Sequence, residues 1–401
     1  MKNINTIHDL AMFGAPPAFQ NKLHVGRPNI GNRKNLNERL NNILDKKWLT
    51  NQGEYVQQLE KRIASYIGVK HCICICNGTI ALEISIRALN LTGEVIIPSF
   101  TFIATAHALQ WQGIKPVFCD IHKGGCNIDP ALVEFCITPE TSGIIGVHVW
   151  GAPCDYERLT AVANKHQIKL MFDAAHAFGC SYHNRKIGNH GHLEVFSFHA
   201  TKVFNSFEGG AIVTNDDTLA NKIRLMKNFG FSGHDNVVYI GSNGKMSEIS
   251  AAMGLTNLES LDTFIQQNQI RYYHYKKLFE HIPGFKMMSL HEKQKSNFHY
   301  VTFEIDEKET GLNRDQIVNI LHAENIIARR YFYPGCHRME PYRTLYPNAG
   351  HLLPQTEHIC KQVLVMPTGP SISKNDIDMI YKIVTFVVKH QHEIKLKMKN
   401  Q

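Results

Sequence analysis

Along most of this chain, short runs of uninterrupted apolar residues alternate with segments of helical period. Strands are predicted at 94–97, 117–121, 143–149, 168–172, 194–198 and 210–214. These runs are apolar on both faces, the pattern of a parallel sheet covered by helices on either side. Helical spacing places Tyr55, Val56, Leu59, Ile63, Tyr66 and Ile67 on one side of the segment 54–68, and a second helix is predicted at 156–167. Residues 247–267 start a long helix with Leu255, Leu258, Leu261 and Ile265 along one stripe, and the following IRYYHYKKLFEHI continues it toward a second unit. After Pro283 the pattern changes to a strand in HYVTFEID and a helix in RDQIVNILHAENI, a smaller α/β unit. The expected class is therefore α/β, with an N-terminal arm and large domain over 1–265 and a small C-terminal domain over 266–401. A length of 401 residues, too long for one compact core, agrees with two units. No internal repeat and no low-complexity linker interrupts it.

Charge and cysteine content narrow the function. The formal net charge is +8, which suits an anionic small molecule, although part of it lies in a tail, KHQHEIKLKMKNQ, expected to be exposed. Zinc-finger spacing, an RNP pattern and a helix-turn-helix are all missing, so no nucleic-acid partner is expected. The ten cysteines form no CxxC motif, and Cys72, Cys74 and Cys76 alternate along a predicted strand, sharing one face. They read as small buried hydrophobes in a reducing cytoplasm, with no metal and no disulfide framework. No stretch approaches the length of a membrane span, and the N-terminal residues carry no long apolar signal core, so a cytoplasmic protein with no membrane partner is expected.

Chemistry concentrates in the middle of the chain. FDAAHAFG at 172–179, SFHATK at 197–202 and EGGAIVTN at 208–215 bring an acid, an imidazole and an amine into one stretch, with Asp173 and Lys202 at or just past strand ends. Ligands of open α/β sheets gather at such ends. A buried carboxylate such as Asp173 keeps the pyridine nitrogen of pyridoxal phosphate protonated, and a partly desolvated amine such as Lys202 forms a Schiff base with its aldehyde. His176 is placed to stack on, or hydrogen-bond to, the ring or its phenolic oxygen. Upstream, the apolar alternation from His71 gives way to helical period at Asn77-Gly78-Thr79, where backbone N–H groups attract a phosphate. The strand EVIIP leads to Phe102, an aromatic face available to cover the cofactor. Taken singly, each residue has a blander role: Asp173 a helix cap, His176 and Phe102 core packing, Lys202 a solvated lysine, Asn-Gly-Thr an ordinary turn. Their order along the chain favours the cofactor reading.

The succession NGTIAL, PSFTFIAT, VHVWGAP, DAAHAFG, SFHATK, EGGAIVTN and SNGKMSEISAAMG resembles the sugar aminotransferases of the DegT/StrS type from about residue 22 to about residue 390. The resemblance implies the fold type I pyridoxal-phosphate architecture, with a mostly parallel seven-stranded sheet. It implies that Lys202 is the Schiff-base lysine, that Asp173 partners the pyridine nitrogen, and that Gly78, Thr79 and Ser197 hold the phosphate. Phe102 would stack on the ring and His176 would lie near the phenolic oxygen, where many relatives carry Gln. Asn243 matches an asparagine that reaches the phosphate of the neighbouring subunit, which makes a homodimer with shared sites the expected working unit. Implied partners are a nucleotide-linked keto-sugar and L-glutamate. Flanking segments, VGRPNIGNR and ARRYFYPGCHRMEPYR among them, resemble the 4-aminotransferases that make dTDP-4-amino-4,6-dideoxyglucose for bacterial surface polysaccharide. Amination at C3, a UDP- or GDP-linked sugar, and a cofactor-binding regulator remain as alternatives. Arg329, Arg330 and Tyr331 either touch substrate or pack, and His199 either lines the cavity or packs.

Overall fold

The computed structural model describes residues 2–290 and 293–399. Its centre is a seven-stranded sheet of β1 (His71–Ile75), β2 (Glu94–Pro98), β3 (Lys115–Cys119), β4 (Thr141–Val147), β5 (Lys169–Asp173), β6 (Leu193–Ser197) and β7 (Gly210–Thr214), in the order β1-β7-β6-β5-β4-β2-β3. Only β7 runs against its neighbours. The predicted strands 117–121 and 143–149 begin and end two residues earlier than their apolar runs suggest. In the second of these, the run continues into a short 3-10 turn at Val149–Gly151.

The double-sided apolar pattern of the strands has a direct counterpart in packing. Cys72, Cys74, Ile96, Ile144, Phe172 and Phe196 face one core, built with Val56, Leu59 and Ile63 of the helix Glu54–Ile67 and Leu159 of the helix Tyr156–His166. Their neighbours Ile73, Val95, Ile97, Ile145, Met171 and Val195 face the other core, built with Leu82 and Ile86 of the helix Gly78–Ala88 and Ile223 of the helix Asp217–Met226. Alternation by single residues along each strand sends successive side chains to opposite faces. Cys76 departs from the sequence expectation. The strand ends at Ile75, the Cys76 N–H donates to the Gly244 carbonyl instead of to the ladder, and the side chain joins the opposite core from Cys72 and Cys74. All ten cysteines are free thiols.

A third core surrounds the three-stranded sheet of β8 (Phe285–Met287), β9 (Val301–Ile305) and β10 (Val363–Met366), with helices Arg314–Ala323 and Lys374–Lys389. The expected single helix from 247 onward is two, Glu248–Leu258 and Leu261–Phe279. Ser260 leaves helical geometry (φ −111°, ψ 4°) and its N–H turns back to the Asn257 carbonyl. The second of these helices serves both bodies: Phe264 packs in the first core, while Tyr272, Tyr275 and Phe279 pack in the C-terminal core. The N-terminal arm also packs on the C-terminal core. Ile7 and Leu10 are buried there, Leu23–His24 pairs with Ile326–Ile327, and the buried Glu324 accepts hydrogen bonds from Lys2 Nζ and the N–H groups of Ala11 and Ala18. The basic tail is not free either. Gln391–Lys399 is helical and Ile394 is fully buried, while residues 400–401 lie outside the described part.

Candidate active site

The parallel strands β1, β2, β4, β5 and β6 all end at one edge of the sheet, and β7 begins there, Gly210 lying between Ile75 and Ser197. Beyond that edge is a cavity of about 650 Å³. Gly78, Thr79, Phe102, Asp173, His176, Ser197 and Lys202 all line it. Asn243 does not. It is an exposed residue of the loop after the helix Asp217–Met226, where its Oδ1 accepts from Lys245 Nζ at 2.7 Å.

The amine end of the site follows from a compact turn after β6. The Lys202 N–H donates to the His199 carbonyl (2.9 Å), and the Thr201 N–H donates to His199 Nδ1 (3.2 Å), while Val203 and Phe204 anchor the turn in the core. Lys202 keeps some exposed surface because the cavity opens over it, yet protein surrounds it deeply enough to desolvate its charge. Burial brings the Lys202 amine down to about 8, against a smaller upward pull from Asp173. About a tenth is therefore free base at pH 7.

Asp173 closes β5 and is buried. Burial raises its pKa, while the Ala175 N–H (3.1 Å to Oδ1), the Thr105 hydroxyl (2.9 Å to Oδ2) and the charge of Lys202 pull it back. Those two donors fix the carboxylate's orientation. Thr105 is in turn 3.0 Å from the Thr101 hydroxyl, one helical turn away. His176 is buried, its ring stacked on Phe332 at 5.7 Å and edge-on to Tyr300 at 5.0 Å. Burial, then the charges of Lys202 and His299, hold its imidazole well below the usual pKa. Its Nδ1 accepts the Trp150 N–H (3.2 Å), so the proton of the neutral ring sits on Nε2.

At the opposite end, Asn77 caps the helix Gly78–Ala88, its Oδ1 accepting from the Ile80 N–H at 2.9 Å. As the first two helical residues, Gly78 and Thr79 have N–H groups with no intrahelical acceptor, a ready anion site. A Cβ at position 78 would stand 3.0 Å from Ser197 Cβ, so glycine is what lets the helix end and the Ser197 hydroxyl converge. Phe102 lies at the cavity mouth, more than half exposed. His199 lines the cavity and lies 3.4 Å from Glu208, which also lines it. A smaller chamber of about 270 Å³ shares Thr101, Phe102, Tyr331 and Phe332 with this cavity and adds Arg329 and Arg330.

Sequence reasoning missed Thr105, Glu208, Tyr300 and Phe332. Thr105 had a signal, the Thr101–Thr105 spacing of one helical turn after a strand end. Tyr300 and Phe332 come from the C-terminal body, and no local pattern links them to the central motifs.

A helix terminus for a dianion, a buried acid and a desolvated amine at one sheet edge suit a phosphorylated, aromatic, aldehyde-bearing group. The residues present fit pyridoxal phosphate, and fold and cavity together define a pyridoxal-phosphate-dependent enzyme. The chain belongs to the DegT/DnrJ/EryC1/StrS aminotransferase family, whose sequence profile matches residues 31–385. It is 39% identical over 368 residues to a dTDP-4-amino-4,6-dideoxy-D-glucose transaminase of Shigella dysenteriae, covering 91% of this chain and 99% of that one. The solved structure of DesI in the presence of its TDP-sugar product superposes with a TM-score of 0.94 at 44% identity, covering 98% of this chain and 100% of the other. Helicobacter pylori PseC, an aminotransferase of pseudoaminic acid biosynthesis, superposes with a TM-score of 0.85 at 27% identity, over 92% of this chain and 99% of its own.

Proposed function

We propose that this protein transfers the amino group of L-glutamate to the 4-keto group of dTDP-4-dehydro-6-deoxy-D-glucose, giving dTDP-4-amino-4,6-dideoxy-D-glucose and 2-oxoglutarate. The observation that carries the chemistry is the desolvated amine of Lys202 beside the buried, oriented Asp173. The sugar is inferred from the name of the Shigella relative and its coverage of nearly the whole chain. The reaction takes place in the cytoplasm and feeds a bacterial surface polysaccharide, O-antigen included.

Pyridoxal phosphate, when bound, supplies the electron sink that lets a proton leave the donor's α carbon. In this reading Gly78 and Thr79 N–H groups and the Ser197 hydroxyl hold its phosphate. Asp173, the acid fixed by Thr105 and Ala175, holds the proton on the pyridine nitrogen. Phe102 covers the ring, and His176 offers its Nε2–H toward the phenolic oxygen. With the cofactor bound, Lys202 would be the base that takes the proton from the donor's α carbon and the acid that returns it at C4′, and it would run the same transfer in reverse for the keto-sugar. Such general acid–base work contributes about 10²- to 10⁴-fold.

Asn243 completes the phosphate site of a second copy in a homodimer. In its own chain it lies outside the cavity, and the loop bearing it exposes Phe229, Phe231, Val237, Val238, Tyr239 and Ile240. A contiguous apolar stretch of that kind marks an association surface.

The substrate is tested by incubating the purified protein with L-glutamate and dTDP-, GDP- and UDP-linked 4-keto-6-deoxy sugars and a dTDP-linked 3-keto sugar, with product mass and NMR as readout. Amination at C4 of the dTDP sugar, with at least tenfold lower kcat/KM for the others, supports the assignment. Preference for another nucleotide or for C3 overturns it.

A further inference from the structure

The chain carries a buried histidine with no part in the chemistry above. His299 lies in the segment leading to β9, is 3% exposed, and has hydrogen-bond partners at neither Nδ1 nor Nε2. Buried polar groups are nearly always paired, so an imidazole kept without a partner calls for a reason. It stands outside the ring of cavity-lining side chains, yet close enough to Lys202 and His176 that their charges act on one another.

Its placement is fixed from several sides. The His299 N–H donates to Asn297 Oδ1 (3.0 Å), and Asn297 Nδ2 donates to the carbonyls of His176 (2.9 Å) and Phe178 (3.0 Å). The segment is thus tied to the turn that follows Asp173. The ring meets Tyr300 edge-on at 4.7 Å, and Tyr300 meets His176 in the same way. From the N-terminal arm comes Gly26, with φ +76°. A Cβ built there would lie 2.8 Å from the Thr201 carbonyl oxygen and 3.7 Å from His299 Nε2. Gly26, His299 and the Thr201 carbonyl therefore converge at the peptide that leads into Lys202. The carbonyl stands beside the ring, outside hydrogen-bonding geometry, and pulls the imidazole's pKa slightly upward, while burial and Lys202 take it down to about 4. His299 is neutral at physiological pH.

We propose that His299 and Gly26 form a positioning wall behind Lys202, which sets the course of the Lys202 backbone through the Thr201 carbonyl and keeps water from the back of the amine. The inference rests on the aminotransferase reading and assigns no chemical step to either residue. The titratable groups around Lys202 are Asp173 from β5, His176 from the turn after it, His199 from the turn after β6, Glu208 from the segment before β7, His299 and Tyr300 from the segment before β9, and Tyr331 from the C-terminal body. Asp173 draws the Lys202 amine upward, and the buried His176 and His299 imidazoles are neutral. Dryness, the first cause of the low value, is what the wall maintains. Opening the wall therefore moves the amine up, toward the ordinary lysine value of 10.5.

The test uses full-length protein freed of cofactor and follows covalent uptake of added pyridoxal phosphate by absorbance across pH. Uptake needs the free base, so the wild-type rate rises with pH through a midpoint of about 8. His299→Ala is expected to move that midpoint up by about one unit or more and to lower kcat about tenfold with the KM for sugar nearly unchanged. His299→Gln, which keeps an N–H and most of the bulk, is expected to recover most of both. Gly26→Ala, with His299 untouched, displaces the Thr201 carbonyl and reproduces the kcat loss. A midpoint within about 0.3 unit and a kcat within twofold of wild type in folded His299→Ala protein, or a kcat within twofold of wild type in folded Gly26→Ala protein, overturns the proposal. Should His299→Ala not fold, a His299→Gln variant with an unaltered melting temperature and a lost kcat overturns it as well. If the wild type takes up no cofactor, the aminotransferase reading fails too, so the two failures are distinct.

Discussion

Asp173 and Lys202 set each other's working state. The carboxylate raises the amine's pKa and the amine lowers the carboxylate's, while burial pushes each toward neutrality. Asp173→Asn removes the anion but keeps the size and the hydrogen bond from the Ala175 N–H. With the upward pull gone, the Lys202 amine should titrate below about 8. Cofactor uptake by the variant is then expected to reach its plateau at lower pH than in the wild type, while transamination falls by about 10²-fold or more for want of a counter-charge at the ring nitrogen. Stopped-flow uptake and donor turnover measured on the same samples check both halves. An unchanged midpoint would show that Asp173 does not act on the amine. Both residues were picked out in the sequence by their place at or just past strand ends together with the order of the motifs around them, since either alone has a blander role. Of the two groups that orient the carboxylate, Thr105 left only the faint trace of its spacing from Thr101, and the Ala175 N–H left none, because a backbone donor acquires its role from the sheet edge alone.

Among the elements, the helices expected at 54–68 and 156–167 were located to within a residue, whereas β3 and β4 were placed two residues late and one helix break was missed. A buried strand is marked by its own residues on both faces, and five-residue apolar runs located β5, β6 and β7 to within a residue. The break between Leu258 and Leu261 escaped, since Glu-Ser is a tolerable helical pair and the apolar stripe continues across it. The exit from helical geometry at Ser260 instead accompanies a change of partner, from the first core to one shared with the C-terminal body. The loop from Asn228 to Asn243 gave only a motif match in the sequence. In the structure it is an ordered, bridged segment, Asn228 pairing with Asn243 and Phe231 with Val237. Gly230 is required there, since a Cβ would fall 1.8 Å from the Tyr239 carbonyl oxygen. If this loop is the dimer surface, sedimentation velocity should find a dimer for the wild type and a shift toward monomer for Ile240→Glu, which puts a charge on a residue 75% exposed in the single chain. Asn243→Ala should remain dimeric and bind the cofactor about tenfold more weakly, the size of one charge-assisted hydrogen bond. A monomeric wild type, or Asn243→Ala with unaltered cofactor affinity, would contradict the shared site.

Over the whole molecule, the α/β class with a parallel sheet was legible in the alternating strand and helix patterns, while the count of seven strands came from the family resemblance. How the N-terminal arm and C-terminal body close on the site was not. Ile7, Leu10, Glu324 and Gly26 acquire their partners over hundreds of residues, and nothing local signals such contacts. This closed assembly lowers the Lys202 amine to about 8 and so readies it for amino-group chemistry on pyridoxal phosphate. The most direct measurement is the absorbance spectrum of the protein with the cofactor, before and after L-glutamate, for wild type and Lys202→Ala. A band near ~410 nm is expected in the wild type, moving to ~330 nm with glutamate, and the variant should show neither the lysine-linked band nor glutamate-driven conversion at a comparable rate. A wild type that binds no cofactor, or a Lys202→Ala protein that converts with glutamate as fast as the wild type, would contradict it.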